Sequence, residues 1–454
     1  MIHRYTMKGI YFILDVNSGA VHVVDETAYA ISGLLTSDMQ PECPPRIFHS
    51  LSDRPREEVA SAYAELYELY AGGQLFSGDE YLEVGKYIPV DAPVKALCLH
   101  VSHDCNLRCA YCFASTGDFG TGRKIMPLKV AKKAIDFVVR RSGSRKNIEI
   151  DFFGGEPLMA FETIQKTVKY ARSLEEKSGK HFRFTITTNG LLLDDEKIQY
   201  INENMDNVVL SLDGRPEVND TMRKTVSGEG SYDLIVPKFQ RLVAQRDPQL
   251  DYYARGTFTA KNLDFANDVM SISDAGFDRL SVEPVASEDG TGYELHKEDL
   301  PVIFAEYERL TDLLLEKRKQ GEKLSFFHFM VDLDQGPCVI KRLRGCGAGY
   351  EYVAVTPEGD IYPCHQFVGK EAFRQGSVMD DTLDESIAHR FAAMNIYTRK
   401  KCRTCWAKFY CSGGCSAANF NQNADLNEPY ALGCEMEKKR LECAIYLKAA
   451  EADA

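Results

Sequence analysis

Two hydrophobic rhythms alternate through the middle of the chain. Apolar and β-branched runs at 94–102, 148–153, 182–188, 208–212, 252–259 and 279–283 read as strands. Between them, apolar positions recur at helical spacing, as in 128–140, 161–173 and 232–243. Such alternation predicts an α/β fold with a parallel sheet, either open or closed into a partial barrel. In a barrel, chemistry collects at the C-terminal ends of the strands. The polar and cysteine-bearing motifs here fall just past those ends. Cys105 follows the first strand, Gly154-Gly-Glu-Pro the second and Asn189 the third. Ser211 and Asp213 end the fourth, and Glu283 ends the sixth.

The flanks follow other rules. Residues 1–90 read as a small separate domain. Two apolar runs, 10–14 and 21–24, are joined through Asn17-Ser-Gly, a hairpin signal, and helical patterns follow at 25–35 and 56–70. That content is winged-helix-like. Residues 91–300 form the barrel region, and 301–336 a linking helix and short strand. From 337 to 454 the chain is rich in Gly, Cys and turns and shows little amphipathic periodicity, so metal staples are expected to replace a core there.

Composition narrows the function. A formal charge of −13, from 54 basic and 67 acidic side chains, argues against broad electrostatic binding of nucleic acid. No apolar run approaches the roughly 20 residues that span a bilayer, and the N-terminus lacks the pattern of a signal peptide. No membrane association and a cytoplasmic location are expected. Of the 14 cysteines, Cys98 lies in an apolar strand-like run and reads as a core residue, while Cys43 and Cys443 stand apart. The other eleven cluster at spacings that suit metals better than disulfides.

Cys105, Cys109 and Cys112 offer three ligands in Cys-Asn-Leu-Arg-Cys-Ala-Tyr-Cys. A structural zinc site takes four protein ligands, and only His100 and His103 lie near enough in sequence to supply one. A cubane iron–sulfur cluster held by three cysteines keeps one iron free for another ligand. The run resembles the signature of the radical S-adenosylmethionine (SAM) superfamily, and the resemblance covers about 95–300. It implies a radical SAM partial (β/α)6 TIM barrel. The amino and carboxylate groups of SAM would chelate the free iron, and reductive cleavage would yield a 5′-deoxyadenosyl radical. Gly154 and Gly155 would then allow close approach of a ligand, and Glu156 would accept from the SAM ammonium. Tyr111 would contact adenine, Arg223 would pair the SAM carboxylate, Ser211 and Asp213 would face ribose or carboxylate, and Glu283 adenine or ribose. Asn189 joins them as a cofactor contact.

The C-terminal cysteines resemble the SPASM domain of radical SAM peptide maturases. The spacing Cys346-x12-Gly359-x4-Cys364 is its first half. Its second half is Cys402-x2-Cys405-x5-Cys411-x3-Cys415, then Cys434. The resemblance implies two auxiliary clusters, three [4Fe-4S] clusters in all. Cys346, Cys364 and Cys415 would hold the inner auxiliary cluster, and Cys402, Cys405, Cys411 and Cys434 the outer. Cys338 is placed to complete the inner set; without it, an open iron could take a substrate thiolate. His365 would lend the cluster a hydrogen bond.

Leu14-Asp-Val-Asn-Ser-Gly-Ala and Val24-Asp-Glu-Thr-Ala-Tyr-Ala-Ile resemble the leader-recognition element of ribosomal-peptide modifying enzymes. The whole is most similar to the clostridial maturases of six-cysteines-in-forty-five-residues (SCIFF) peptides. That likeness implies intramolecular Cys thioether formation in a precursor peptide, with the leader bound at the N-terminal domain and ferredoxin or flavodoxin as external electron donor. Formylglycine formation of the sulfatase type and carbon–carbon cross-linking are the alternatives.

Overall fold

The computed structural model describes residues 1–86, 92–287, 290–333 and 339–452. Six parallel strands form its centre: Ala96–His103, Asn147–Gly154, His181–Thr188, Asn207–Ser211, Asp251–Phe258 and Arg279–Pro284. They lie side by side in chain order. All six were legible in the sequence to within two residues at either end. The first strand is buried at every position, as befits a strand covered on both faces. The second alternates, with Ile148, Ile150 and Phe152 inside. Helices Leu128–Arg141 and Phe161–Ser178 cover the outer face, contributing Ala131, Ala134, Ile135, Ile164 and Val168 to the core.

The sheet does not end where the barrel motif ends. Tyr352–Val355 pairs parallel with the free edge of the first strand and continues antiparallel into Asp360–Tyr362, Gly376–Ser377 and Thr382–Leu383. The cysteine-rich segment is therefore built into the barrel sheet. The expected boundaries near 90 and 336 lie outside the described residues, so they are not placed.

That segment corrects one expectation. It has its own aromatic core of Tyr350, Tyr362, Phe367, Phe373 and Phe391, and it ends in the 22-residue helix Ala431–Ala452. Cys443 to Leu447 are consecutively buried, because the helix is covered on several sides. It packs on helix Leu300–Lys319 through Ile303, Tyr307, Leu310, Leu441 and Ile445 and also meets the N-terminal sheet. A helix covered this way carries no single apolar stripe for the sequence to reveal.

The N-terminal unit holds three antiparallel strands, Ile2–Met7, Ile10–Asp15 and Val21–Val24, in that order, with helices Glu26–Ser32, Pro45–Ser50, Arg56–Ala71 and Tyr81–Lys86. Its first strand was not anticipated. The sheet is buried on both faces: Phe12 and Leu14 join the main core, while Ile13 joins Ile31, Ile47, Val59 and Leu66 beneath the helices. Among the described residues, no helix is long and apolar enough to cross a membrane.

Candidate functional site

The loop after the first strand begins with Asp104, whose Oδ1 accepts from the Cys105 amide at 2.8 Å. Leu107–Cys109 then pairs antiparallel with Arg223–Thr225, setting Arg223 directly opposite Cys109. The glycines after the second strand are needed by this loop. A Cβ on Gly154 (φ +137°) would lie 2.1 Å from the Ser102 carbonyl oxygen, and one on Gly155 2.3 Å from that of Asp104. The close approach they permit is made by the chain's own backbone, and both also border the cavity at the barrel mouth.

Glu156 is buried and acts as a tie. Its Oε1 accepts from Thr188 Oγ1 at 2.7 Å and from the Leu158 amide at 3.1 Å, and its Oε2 from the Asn189 amide at 2.8 Å. Burial pushes its carboxyl up to about 7, against these donors. Asn189 in turn donates to Asn106 Oδ1 at 2.8 Å, its Nδ2 lying 3.6 Å from Cys105 Sγ.

Tyr111, Asp213 and Arg223 form one buried unit. The Tyr111 hydroxyl donates to the Asp213 carboxylate at 2.7 Å and accepts from Arg223 Nη1 at 3.0 Å; the Thr257 amide also reaches Asp213. Burial raises both the Asp213 carboxyl and the Tyr111 phenol, although Arg223 opposes each rise. Arg223 Nε has no partner among the described residues. Glu283 pairs with Arg255, which the sequence reading missed, and lies 4.0 Å from His328 Nε2.

Cys105, Cys109, Cys112 and all nine expected cofactor-contact residues border one cavity at the mouth of the barrel. Arg255, Thr257, His365 and Gln366 line it too. Arg255 is the one a sequence reading could have found, because a strand-borne arginine near a barrel rim is itself a polar signal. His100 and His103 turn elsewhere: they hydrogen-bond each other at 3.1 Å inside the core, and His103 bonds Thr121. Cys98 is buried as expected.

The later cysteines influence one another in two groups. The Cys364 thiol is raised by burial and by Cys415 and Cys346. Cys411 is raised by burial and, among other charges, by Cys434, Cys402 and Cys405. These last four border a second, larger cavity of about 970 Å³ with Trp406 and Lys408. Cys338 lies outside the described residues.

All described cysteines are free thiols. Among the described residues, no group of three His, Cys, Asp or Glu side chains converges closely enough to hold one metal ion. Cys105, Cys109 and Cys112 border one space and Cys402, Cys405, Cys411 and Cys434 another, and in a multi-iron cluster each thiolate takes its own iron. Burial lifts Cys105 to about 12 and Cys109 to about 11, so loading such a cluster would release their protons. The unpartnered Arg223 Nε fits an anionic ligand beside the first group. The donor sets therefore suit the clusters and SAM.

Comparison with known proteins agrees. Residues 99–244 match the radical SAM superfamily, and residues 346–406 the SPASM iron–sulfur cluster-binding domain. A cysteine-type anaerobic sulfatase-maturating enzyme of Clostridium perfringens is 25% identical over 371 residues, 78% of this chain and 96% of that protein. The structure of native anSMEcpe with bound AdoMet superposes with a TM-score of 0.65 at 22% identity, covering 80% of this chain and 100% of the other. Streptococcus suis SuiB bound to precursor peptide SuiA superposes with a TM-score of 0.52 at 16% identity, covering 94% of this chain and 98% of the other. The chain carries a radical SAM domain in the expected α/β fold, followed by a SPASM domain.

Proposed function

We propose that this radical SAM/SPASM chain is a peptide maturase that closes intramolecular thioether links from cysteine sulfur to carbon in a ribosomally made precursor peptide. The placement of the inner cysteine set carries the reading. Cys364 is followed directly by His365 and Gln366, both walls of the radical cavity. A substrate thiol held by that set would therefore lie beside the site of hydrogen abstraction.

Cys105, Cys109 and Cys112 would hold the radical cluster, and bound there with SAM it supplies the one-electron cleavage that starts the reaction. The chain's own residues bind and orient. The Glu156 tie fixes Asn189 against the cysteine loop. The Tyr111–Asp213–Arg223 unit holds a guanidinium ready for the SAM carboxylate, and the Arg255–Glu283 pair lines the same cavity. Ser211 completes the rim between them. Cys346, Cys364 and Cys415, with Cys338 as a candidate fourth ligand, would hold the inner auxiliary cluster. Cys402, Cys405, Cys411 and Cys434 would hold the outer one.

The leader would add to the outer edge of Val21–Val24, which pairs with a strand only on its other side among the described residues. Main-chain hydrogen bonds would supply the affinity. The likeness to SuiB, whose structure contains a precursor peptide and which covers more of this chain than anSMEcpe does, supports this arrangement. An external one-electron donor such as ferredoxin or flavodoxin would serve in the cytoplasm.

The test is anaerobic turnover of the iron-loaded chain with SAM, reductant and a leader-bearing, cysteine-containing peptide. The expected products are 5′-deoxyadenosine and a peptide that loses two hydrogens and one free thiol per link. The likeness to the sulfatase-maturating enzyme favours a second reading, formylglycine formation. Loss of the sulfur itself with gain of an aldehyde would establish that instead. Loss of hydrogens with every thiol still titratable would mean carbon–carbon linkage.

A further inference from the structure

Arg399 is among the largest fully buried side chains of the protein. A guanidinium stays charged at any physiological pH, and a buried charge needs a counter-charge. Among the described residues no Asp or Glu pairs with it, and its Nε has no partner. Its hydrogen bonds go to neutral groups. Nη1 donates to the Gly413 carbonyl at 2.9 Å, and Nη2 to Ser416 Oγ at 3.0 Å and the Leu426 carbonyl at 3.4 Å.

Those partners lie at a junction. Gly413 belongs to the three-residue bridge between Cys411, of the outer set, and Cys415, of the inner set, and Ser416 follows Cys415. The Arg399 carbonyl accepts from the Cys402 amide at 3.0 Å. Gly413 (φ +85°) is shaped to this contact, since a Cβ there would lie 2.2 Å from Nη1. Burial pulls the guanidinium below its usual range, and the cysteines of both sets, Cys402 and Cys411, Cys415 and Cys346, oppose that shift as anions would.

We infer that Arg399 is the shared counter-charge of the two auxiliary sites, one buried guanidinium that raises the reduction potential of both clusters held there. The inference rests on the auxiliary-cluster reading above. Reduction adds one electron to a cluster and forms no bond, and a fixed positive charge in a low-dielectric interior favours the reduced form. Arg399 thereby sets how readily an electron released by substrate oxidation is received on its way out.

The experiment is an EPR-monitored redox titration, with iron counting, of the full iron-loaded chain. A parallel chain with Cys105, Cys109 and Cys112 replaced by Ala leaves only the auxiliary signals. Arg399→Gln should keep wild-type iron while both auxiliary potentials fall, the one-electron reduction equilibrium becoming about tenfold less favourable, or about 59 mV. Arg399→Lys, which keeps charge but loses the fork, should stay near wild type. Loss of iron in the Gln variant alone would overturn the inference, since the charge would then serve loading and no potential could be read. Unmoved potentials with iron retained, movement of only one cluster, or iron loss in both variants would overturn it, the last marking Arg399 as a loop clamp. If the parallel chain with native Arg399 binds no iron, the auxiliary-cluster reading itself fails.

Discussion

The His3 imidazole lies flat on the Trp406 indole, with ring centroids 3.7 Å apart and planes 2° from parallel. His3 is in the first strand of the N-terminal sheet, and Trp406 directly follows Cys405 of the outer cysteine set. The unit proposed to bind a leader and the segment proposed to hold a cluster therefore touch face to face.

Trp406 is the sole tryptophan, so all tryptophan emission comes from this ring, which also borders the outer-cysteine cavity. His3→Ala should change the intensity and shift the emission maximum to the red, at a stability cost of about 1 kcal/mol, as for other ring pairs. Steady-state fluorescence and a thermal melt check both. An unchanged spectrum would mean the rings do not stack in solution.

A second clasp is ionic. The Lys408 ammonium, 3% exposed, lies 2.7 Å from Asp79 Oδ2, and the Tyr397 hydroxyl donates to Asp79 Oδ1 at 2.6 Å. Asp79→Ala would leave a buried cation unpaired and should cost about 3 kcal/mol, seen as a lowered thermal midpoint. Asp79→Asn, which keeps an acceptor for Lys408, should fall in between.

His328 sets an acid limit. Burial, aided by the Arg440 guanidinium 3.2 Å from its Nδ1, pulls its imidazole down to about 3. The unfolded chain then binds the proton more readily, so His328 costs no stability above pH 6.5, and its cost grows as the pH falls from there toward 3. By pH 5 the loss is on the order of 2 kcal/mol. Thermal midpoints at pH 7 and 5 should differ less in His328→Gln than in the native chain; an equal difference would remove His328 as the cause.

Arg223→Gln gives up a guanidinium beside Cys109. The expected effect is a rise in the KM for SAM of about tenfold or more, in line with loss of a charge-assisted hydrogen bond, with iron content kept. Deoxyadenosine formation against SAM concentration measures it. An unchanged KM would confine Arg223 to holding Tyr111.

The sequence by itself determined the six strands, the order of motifs along their ends and the grouping of the cysteines. Each of these rests on local signals: the period of side-chain burial and the fixed spacing of ligands on a short loop. Only the tertiary structure decided what several of the residues do. Gly154 and Gly155 were legible as places of close approach, but that the approaching atoms are the carbonyls of Ser102 and Asp104 depends on how two strand ends cross. Glu156 reads as a ligand contact, and only the fold shows that its oxygens also hold Thr188, Leu158 and Asn189. The helix Ala431–Ala452 left no periodic trace because it is covered on several sides. Arg399 and Trp406 are ordinary residues in a cysteine-rich run; folding wraps the 411–426 stretch and Cys346 around the first and brings His3 from the far end of the chain to the second.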